Sequence, residues 1–219
     1  YRGITLHETM LKLMEKVLQI RLMTFLAEWS PLHVNQQGFQ KGMDCESLVF
    51  GFMECMYRRG ACAPAMFGDQ AKAFPRTPQS SVIAAMWHRC IGGAYFASSL
   101  STGGDATIKN RSIGGVGRLF RLCHRILTGC QFFIDIAGYK TRTFAVAVGI
   151  PEGRILSPLF YALHIDTVAR QIHDSDSGLG YRLPRQPNCK HDGFAGILLF
   201  ADDICLLASI DDMQAILDI

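Results

Sequence analysis

Leu198-Leu199-Phe200-Ala201-Asp202-Asp203-Ile204-Cys205-Leu206-Leu207 sets two adjacent carboxylates between two short apolar runs. Each run is about a strand long, and Ala-Asp-Asp is the only interruption, so the string predicts a tight β-hairpin with both acids at its turn. Neighbouring carboxylates flanked by core strands are costly unless a cation compensates them. Hard oxygen donors of this kind suit Mg²⁺. A solvated turn between two core strands accounts for the string about as well, so the surrounding sequence has to decide.

Two upstream segments bear on the choice. Met66-Phe67-Gly68-Asp69-Gln70-Ala71-Lys72-Ala73-Phe74 ends an apolar run on a carboxylate. Gly149-Ile150-Pro151-Glu152-Gly153-Arg154-Ile155-Leu156-Ser157-Pro158-Leu159-Phe160 is a Gly/Pro turn leading into a helix, with Ser157 expected as its N-cap and Pro158 at its first position. The order of carboxylate strand, turn and helix, then Asp-Asp hairpin resembles the palm of a reverse transcriptase. It is most similar to the enzymes of non-LTR (LINE-type) retrotransposons, with group II intron enzymes as cousins. Their three motifs read D-x-x-x-A-F-D, G-x-x-Q-G-x-x-x-S-P and [FY]-A-D-D. The N-terminal part agrees: Tyr1-Arg2-Gly3-Ile4-Thr5-Leu6 is similar to Y-R-P-I-S-L, and Gln37-Gly38-Phe39-Gln40-Lys41-Gly42 to Q-x-G-F-R-x-G. Five blocks in order span nearly the whole chain.

That resemblance implies an α+β fold, the fingers and palm of a right-hand polymerase, with an antiparallel palm sheet flanked by helices. It divides the chain into a fingers-like part over about residues 1–60 and a palm over 61–219, with an inserted loop near 98–117 and no thumb. It implies an RNA-directed DNA polymerase that joins a dNTP to a DNA primer on an RNA template, using Mg²⁺ or Mn²⁺. Asp69, Asp202 and Asp203 would be the catalytic metal ligands. Phe74 would stack under the incoming sugar and exclude a ribose 2′-hydroxyl. Gln70, Lys41, Glu152 and Gly153 would line the nucleotide and template site, with Arg2 a weaker cationic candidate. An ordinary core Phe and a simple helix cap are the structural alternatives for Phe74 and Ser157.

The departures from the pattern are specific. Glu152 stands where these enzymes carry Gln, so an acceptor-only, negatively charged group would sit beside a triphosphate. Gln40 replaces Arg, Pro75 replaces the second Asp of the first motif, and Gly68 loosens the strand before Asp69. They favour a second reading, a degenerate or domesticated domain that keeps RNA binding without turnover. A third, an RNA-dependent RNA polymerase, shares the Asp-Asp hairpin, but Phe74 and the Ala-Asp-Asp form argue against it.

With 219 residues, 49% of them hydrophobic, the chain is long and apolar enough to bury a core, which excludes disorder. No apolar run reaches membrane-spanning length and no signal peptide opens it, so no membrane partner is expected. Beginning in mid-motif and stopping soon after the Asp pair, the chain reads as a fragment with flanking domains beyond it. An intracellular location follows, nuclear or cytoplasmic, the nucleus by resemblance only. The net charge of +3 decides little, although Lys109, Arg111, Arg118, Arg121 and Arg125 form a basic stretch and Lys140 with Arg142 a second. Eight scattered cysteines without zinc-like spacing predict buried free thiols.

Periodicity supplies the remaining elements. Thr5 to Glu8 fits a capping box ahead of a helix with Met10, Leu13, Met14, Val17, Leu18, Leu22, Phe25 and Leu26 on one face, ending at Trp29-Ser30-Pro31. Asp44 caps a second helix. Residues 61–69 predict a strand, Pro78 opens a helix through His88, and residues 132–148 a hairpin turning near Gly138. A helix runs from Ser157 to about His173, residues 175–193 form a loop, and Asp211-Asp212 cap a final helix.

Overall fold

The computed structural model describes residues 6, 8–40, 42–59, 64–91, 117–174, 179–183 and 193–218. Along the chain run α1 (Thr9–Trp29), α2 (Cys45–Arg59), β1 (Ala65–Asp69), α3 (Ala73–Arg76), α4 (Gln79–His88) and α5 (Arg118–Thr128). Four short strands follow, β2 (Gln131–Phe132), β3 (Asp135–Ile136), β4 (Tyr139–Lys140) and β5 (Phe144–Ala145), and then α6 (Ser157–Asp174). The chain continues through β6 (Tyr181–Leu183), β7 (Gly193–Ala195), β8 (Ile197–Phe200), β9 (Asp203–Leu207) and α7 (Ile210–Leu217). Helices and small antiparallel sheets mix as expected.

The central sheet has the order β1-β9-β8, antiparallel throughout. Side chains alternate faces along a strand, so each strand serves two cores. Ile197, Leu199 and Leu206 join the larger core, which contains Leu22, Met86 and Tyr161 and is built on α1, α4, α5 and α6. Leu198, Cys205 and Leu207 face the other way, onto Cys55 and the partly buried Phe52 and Met56 of α2. Runs of consecutive apolar residues on β8 and β9 are therefore the signature of a sheet covered on both sides. Tyr181 fastens the second core, its hydroxyl lying within hydrogen-bond reach of the carbonyls of Pro64 and Ala208, at 2.7 and 2.8 Å.

The structure corrects several expected boundaries. Helix α1 starts at Thr9 with Glu8 at its N-cap and no side-chain cap bond; Thr5 lies outside the described residues. Only Leu18, Leu22 and Leu26 of its expected apolar face are buried, whereas Met10, Leu13, Met14 and Val17 are exposed. The helix turns a narrower stripe inward, and that stripe includes Glu15, discussed below. Ser157 is the first residue of α6, and its hydroxyl donates to the Pro151 carbonyl at 2.6 Å, closing the preceding turn. Ser209 caps α7, accepting from the Asp212 amide, with Asp211 and Asp212 in the first turn. Within the expected loop 175–193, Tyr181–Leu183 pairs with Gly193–Ala195 as a two-stranded sheet. The hairpin of residues 131–145 turns at Ala137-Gly138, both with positive φ, as a type I′ turn requires. Its Ile134, Ile136 and Phe144 are exposed, so period two here marks a ribbon rather than a core strand. Asp44 behaves as expected, its carboxylate accepting from the Ser47 amide at 2.7 Å and being held below its ordinary pKa by Ser47.

The expected insertion near 98–117 lies outside the described residues except for Gly117, and so do Arg2 and Lys41. The described cysteines are free thiols; burial pushes Cys123 up to about 12 and Cys205 up to about 11. No described helix is long and apolar enough to cross a membrane.

Candidate active site

Antiparallel pairing of β1 with β9 sets Asp69 directly opposite Asp203, which also pairs with Phe200 across the hairpin. The hairpin loop is therefore Ala201-Asp202. Ala201 has φ 57° while Asp202 is not left-handed, the pattern of a type II′ turn, whose first position ordinarily belongs to Gly. The Gln70 amide donates to the Asp202 carbonyl at 3.3 Å, closing the junction between the end of β1 and the hairpin tip. Asp69 and Asp203 lie roughly 130 residues apart in sequence and meet only because this sheet forms.

Tyr161 of α6 locates the acids. Burial first, then the charges of Asp202 and Asp69, push its phenol up to about 12, so both carboxylates lie near one hydroxyl. That hydroxyl donates to Gln70 Oε1 at 2.5 Å. The Tyr161 ring stacks on Phe74, centroids 5.1 Å apart, and Phe39 meets Phe74 edge-on at 6.5 Å. Phe74 is thus both half-buried against the core and part of an aromatic wall beside the acids. Strand alternation puts Asp203, and Asp69 directly opposite it, in phase with Cys205 and Leu207, which face α2. Among the described residues no three His, Cys, Asp or Glu side chains form a ready metal cage. The donor set still fits a hard cation. None of the three aspartates takes part in an ion pair with another described residue.

A short loop backs the hairpin. Gln37 donates to the Leu199 carbonyl and Leu199 to the Asn35 carbonyl, both at 2.9 Å, so residues 35–37 add parallel to the free edge of β8. Gly38 sits against the turn: a Cβ there would lie 2.2 Å from the Ala201 nitrogen and 2.9 Å from its Cα. Gly38→Ala is expected to displace the Asp-bearing turn or the loop. Because the obstruction is backbone, the cost should reach the upper end of overpacking, about 3 kcal/mol, read as a lowered midpoint in urea denaturation. The Gln40 amide bonds back to the Gln36 carbonyl, turning it into its own loop.

The turn before α6 is tied to the same wall. Ile150 donates to the Phe74 carbonyl at 2.8 Å and Gly149 to Thr77 at 3.0 Å. Gly149 has φ 97°, and a Cβ there would meet the Pro75 carbonyl at 2.5 Å. Its lack of a side chain thus serves contact with the protein's own backbone. Gly153 has φ 92° and is exposed; Glu152 is half-buried. Glu152 lines a cavity of about 820 Å³ between this turn and the β2–β5 ribbon, walled by Phe132, Phe144, Val146 and Pro151. None of the three aspartates lines it.

Sequence reasoning did not single out Tyr161, though it sits one helical turn after Ser157 on α6. It also passed over Arg154 and Glu15. Arg154, 5% exposed, donates through Nε to Glu15 Oε1 at 2.6 Å, and Glu15, 1% exposed, also accepts from the Ile155 amide at 3.0 Å. A second buried carboxylate, Asp166, accepts from Arg89, from Arg170 at 2.8 Å and from the His33 amide.

Residues 1–219 match the family described as "Reverse transcriptase (RNA-dependent DNA polymerase)". No curated protein matches the chain. Among solved structures, apo telomerase from Candida tropicalis truncated from its C-terminal domain superposes with a TM-score of 0.57 at 12% identity, covering 93% of this chain and 36% of that one. Telomerase from Candida albicans in complex with a TWJ fragment of telomeric RNA gives 0.57 at 10% identity, covering 93% and 31%. The chain therefore spans about a third of the length of these structures, and the likeness is one of fold.

Proposed function

The chain belongs to the reverse transcriptase (RNA-dependent DNA polymerase) family, and from that membership we propose that it adds dNTPs to a DNA primer on an RNA template. The observation that carries the reading is the pairing of Asp69 with Asp203, with Asp202 closed onto Gln70 beside Tyr161. Asp69 and Asp202 would hold divalent ions, Mg²⁺ or Mn²⁺, with Asp203 a further carboxylate beside them. Such ions make a 3′-hydroxyl nucleophilic and stabilise a departing pyrophosphate.

The chain's own residues do the rest. Paired strand ends hold Asp69 and Asp203, and the tight turn between β8 and β9 holds Asp202, as in-line transfer demands. Phe74, braced by Tyr161 and Phe39, presents a ring against the sugar and selects against a 2′-hydroxyl. Gln70 and Gly153 flank the nucleotide, and Lys41 supplies a cation for the triphosphate. The fingers–palm division near residue 60, a thumb and other domains on a longer chain, origin in a non-LTR retrotransposon and action in the nucleus all belong to this proposal. They rest on the sequence resemblance.

Primer extension tests it, with an RNA template, a DNA primer, Mg²⁺ or Mn²⁺, and dNTPs against NTPs. Incorporation of dNTPs in preference to NTPs is the expected result. Glu152→Gln should raise activity about tenfold by removing one negative charge near the triphosphate, the effect of roughly 1.4 kcal/mol. Glu152, Gln40 and Pro75 favour the alternative of an RNA-binding remnant. Retained RNA binding with no extension by either protein would establish that alternative.

A further inference from the structure

Helix α5 buries Phe120, Cys123, Ile126 and Leu127 and leaves Arg118, Arg121, Leu122 and Arg125 exposed. The three arginines, at i, i+3 and i+7, share one face and span about 10 Å along the axis. None takes part in an ion pair among the described residues. The helix has no acid in its first turn and no side-chain cap bond, and Arg118 and Arg121 stand at its positive end. Cations there are unfavourable to the helix itself. Stability does not explain the placement; an anion does.

The charge is regional. Residues 106–151 hold seven Lys and Arg (Lys109, Arg111, Arg118, Arg121, Arg125, Lys140 and Arg142) against one acid, Asp135. The chain as a whole is only +3, so the remainder is net negative. Arg154 Nη1 donates to the Ile126 carbonyl at 3.0 Å, fastening α5 to the turn that precedes α6. A strand held on α5 is therefore held at a fixed place relative to the candidate active site.

We infer that the Arg118–Arg121–Arg125 face of α5 binds the phosphate backbone of a single RNA strand, outside the catalytic cleft. Guanidinium pairs with phosphate through two parallel hydrogen bonds, so three arginines on one face can hold successive phosphates of a strand. The identity of the strand as template rests on the proposed function; the phosphate site does not.

The test is equilibrium binding of the 219-residue chain to a single-stranded RNA, across a salt series, without dNTPs or divalent ions. The triple variant Arg118→Gln/Arg121→Gln/Arg125→Gln removes the charge but keeps helix propensity. Three lost phosphate contacts should flatten the slope of log K against log salt by about 2, so wild type loses about twentyfold more affinity than the variant between about 50 and about 200 mM. Lys12→Gln/Lys16→Gln/Arg21→Gln on α1 removes equal charge elsewhere and should leave the slope near that of wild type. An unchanged slope in the α5 variant, an equal change in the α1 variant, or a change confined to an RNA–DNA duplex overturns the inference. Should the triple variant unfold by circular dichroism, Arg121→Gln alone must lower the slope by about 0.7. Extension is read separately: failure of the polymerase reading leaves RNA binding by α5 measurable, and failure of the α5 site leaves extension measurable.

Discussion

Asp202→Asn is expected to abolish primer extension while leaving the protein folded. The carboxylate lies in a two-residue hairpin loop and has no described ion pair, so its neutral isostere removes little that holds the fold. On the proposed function, what it removes is a charged oxygen that would hold a divalent ion, and with it the binding that transfer would depend on. An independent readout comes from Tyr161. Burial is the largest cause of the rise to about 12, and negative charge on Asp202 and Asp69 adds to it by disfavouring tyrosinate. Removing the Asp202 charge must therefore lower that pKa toward the ordinary value, though not reach it, because burial persists. Titration of the Tyr161 ring by NMR in both proteins checks the sign. A lowered pKa with extension intact would place Asp202 beside Tyr161 and remove it from the chemistry.

The hairpin was legible because two apolar runs around Ala201-Asp202-Asp203 admit few other folds, and Asp69 was singled out through the resemblance of the strand it ends to the first reverse transcriptase motif. The partner that brings the acids into relation was not legible. Tyr161 reads as one more apolar-face residue of α6, and its hydroxyl acquires meaning only when Gln70, some ninety positions earlier, is folded against it. Periodicity also misjudged α1. Hydrophobicity alone gave it a broad face from Met10 to Leu26, whereas the structure buries a narrow stripe and puts a carboxylate, Glu15, inside it. A buried charge cannot be recognised from its own sequence neighbourhood, because its compensation by Arg154 lies far along the chain. Gly38 is similar: its lack of a side chain is required by Ala201, which no local pattern around residue 38 announces.

Arg154→Met should be among the most destabilising single substitutions in the chain, about 3–5 kcal/mol. It leaves the Glu15 carboxylate buried with only the Ile155 amide as a described donor, and it leaves the Ile126 carbonyl with the weak Cys130 thiol donor in place of a guanidinium. Attraction across the pair is not what makes the loss large; the stranded charge is. The double variant Glu15→Leu/Arg154→Met therefore should recover most of the deficit, since apolar groups of similar volume often replace a buried pair at little cost. Urea denaturation of the single and double variants decides it. Equal destabilisation by both would mean that packing of the Arg154 stem, and not its charge, secures α1 to the turn.

The pairing of β1 with β9 has a consequence for how the molecule comes into being. Contacts between strands so far apart close a loop of roughly 130 residues, and such non-local pairing forms slowly and late. During synthesis β1 emerges long before its partner and waits as an unpaired edge, with Phe67 open to solvent even in the finished fold. The acids are assembled only once almost all of these residues have left the ribosome, so an interrupted chain carries Asp69 but no centre.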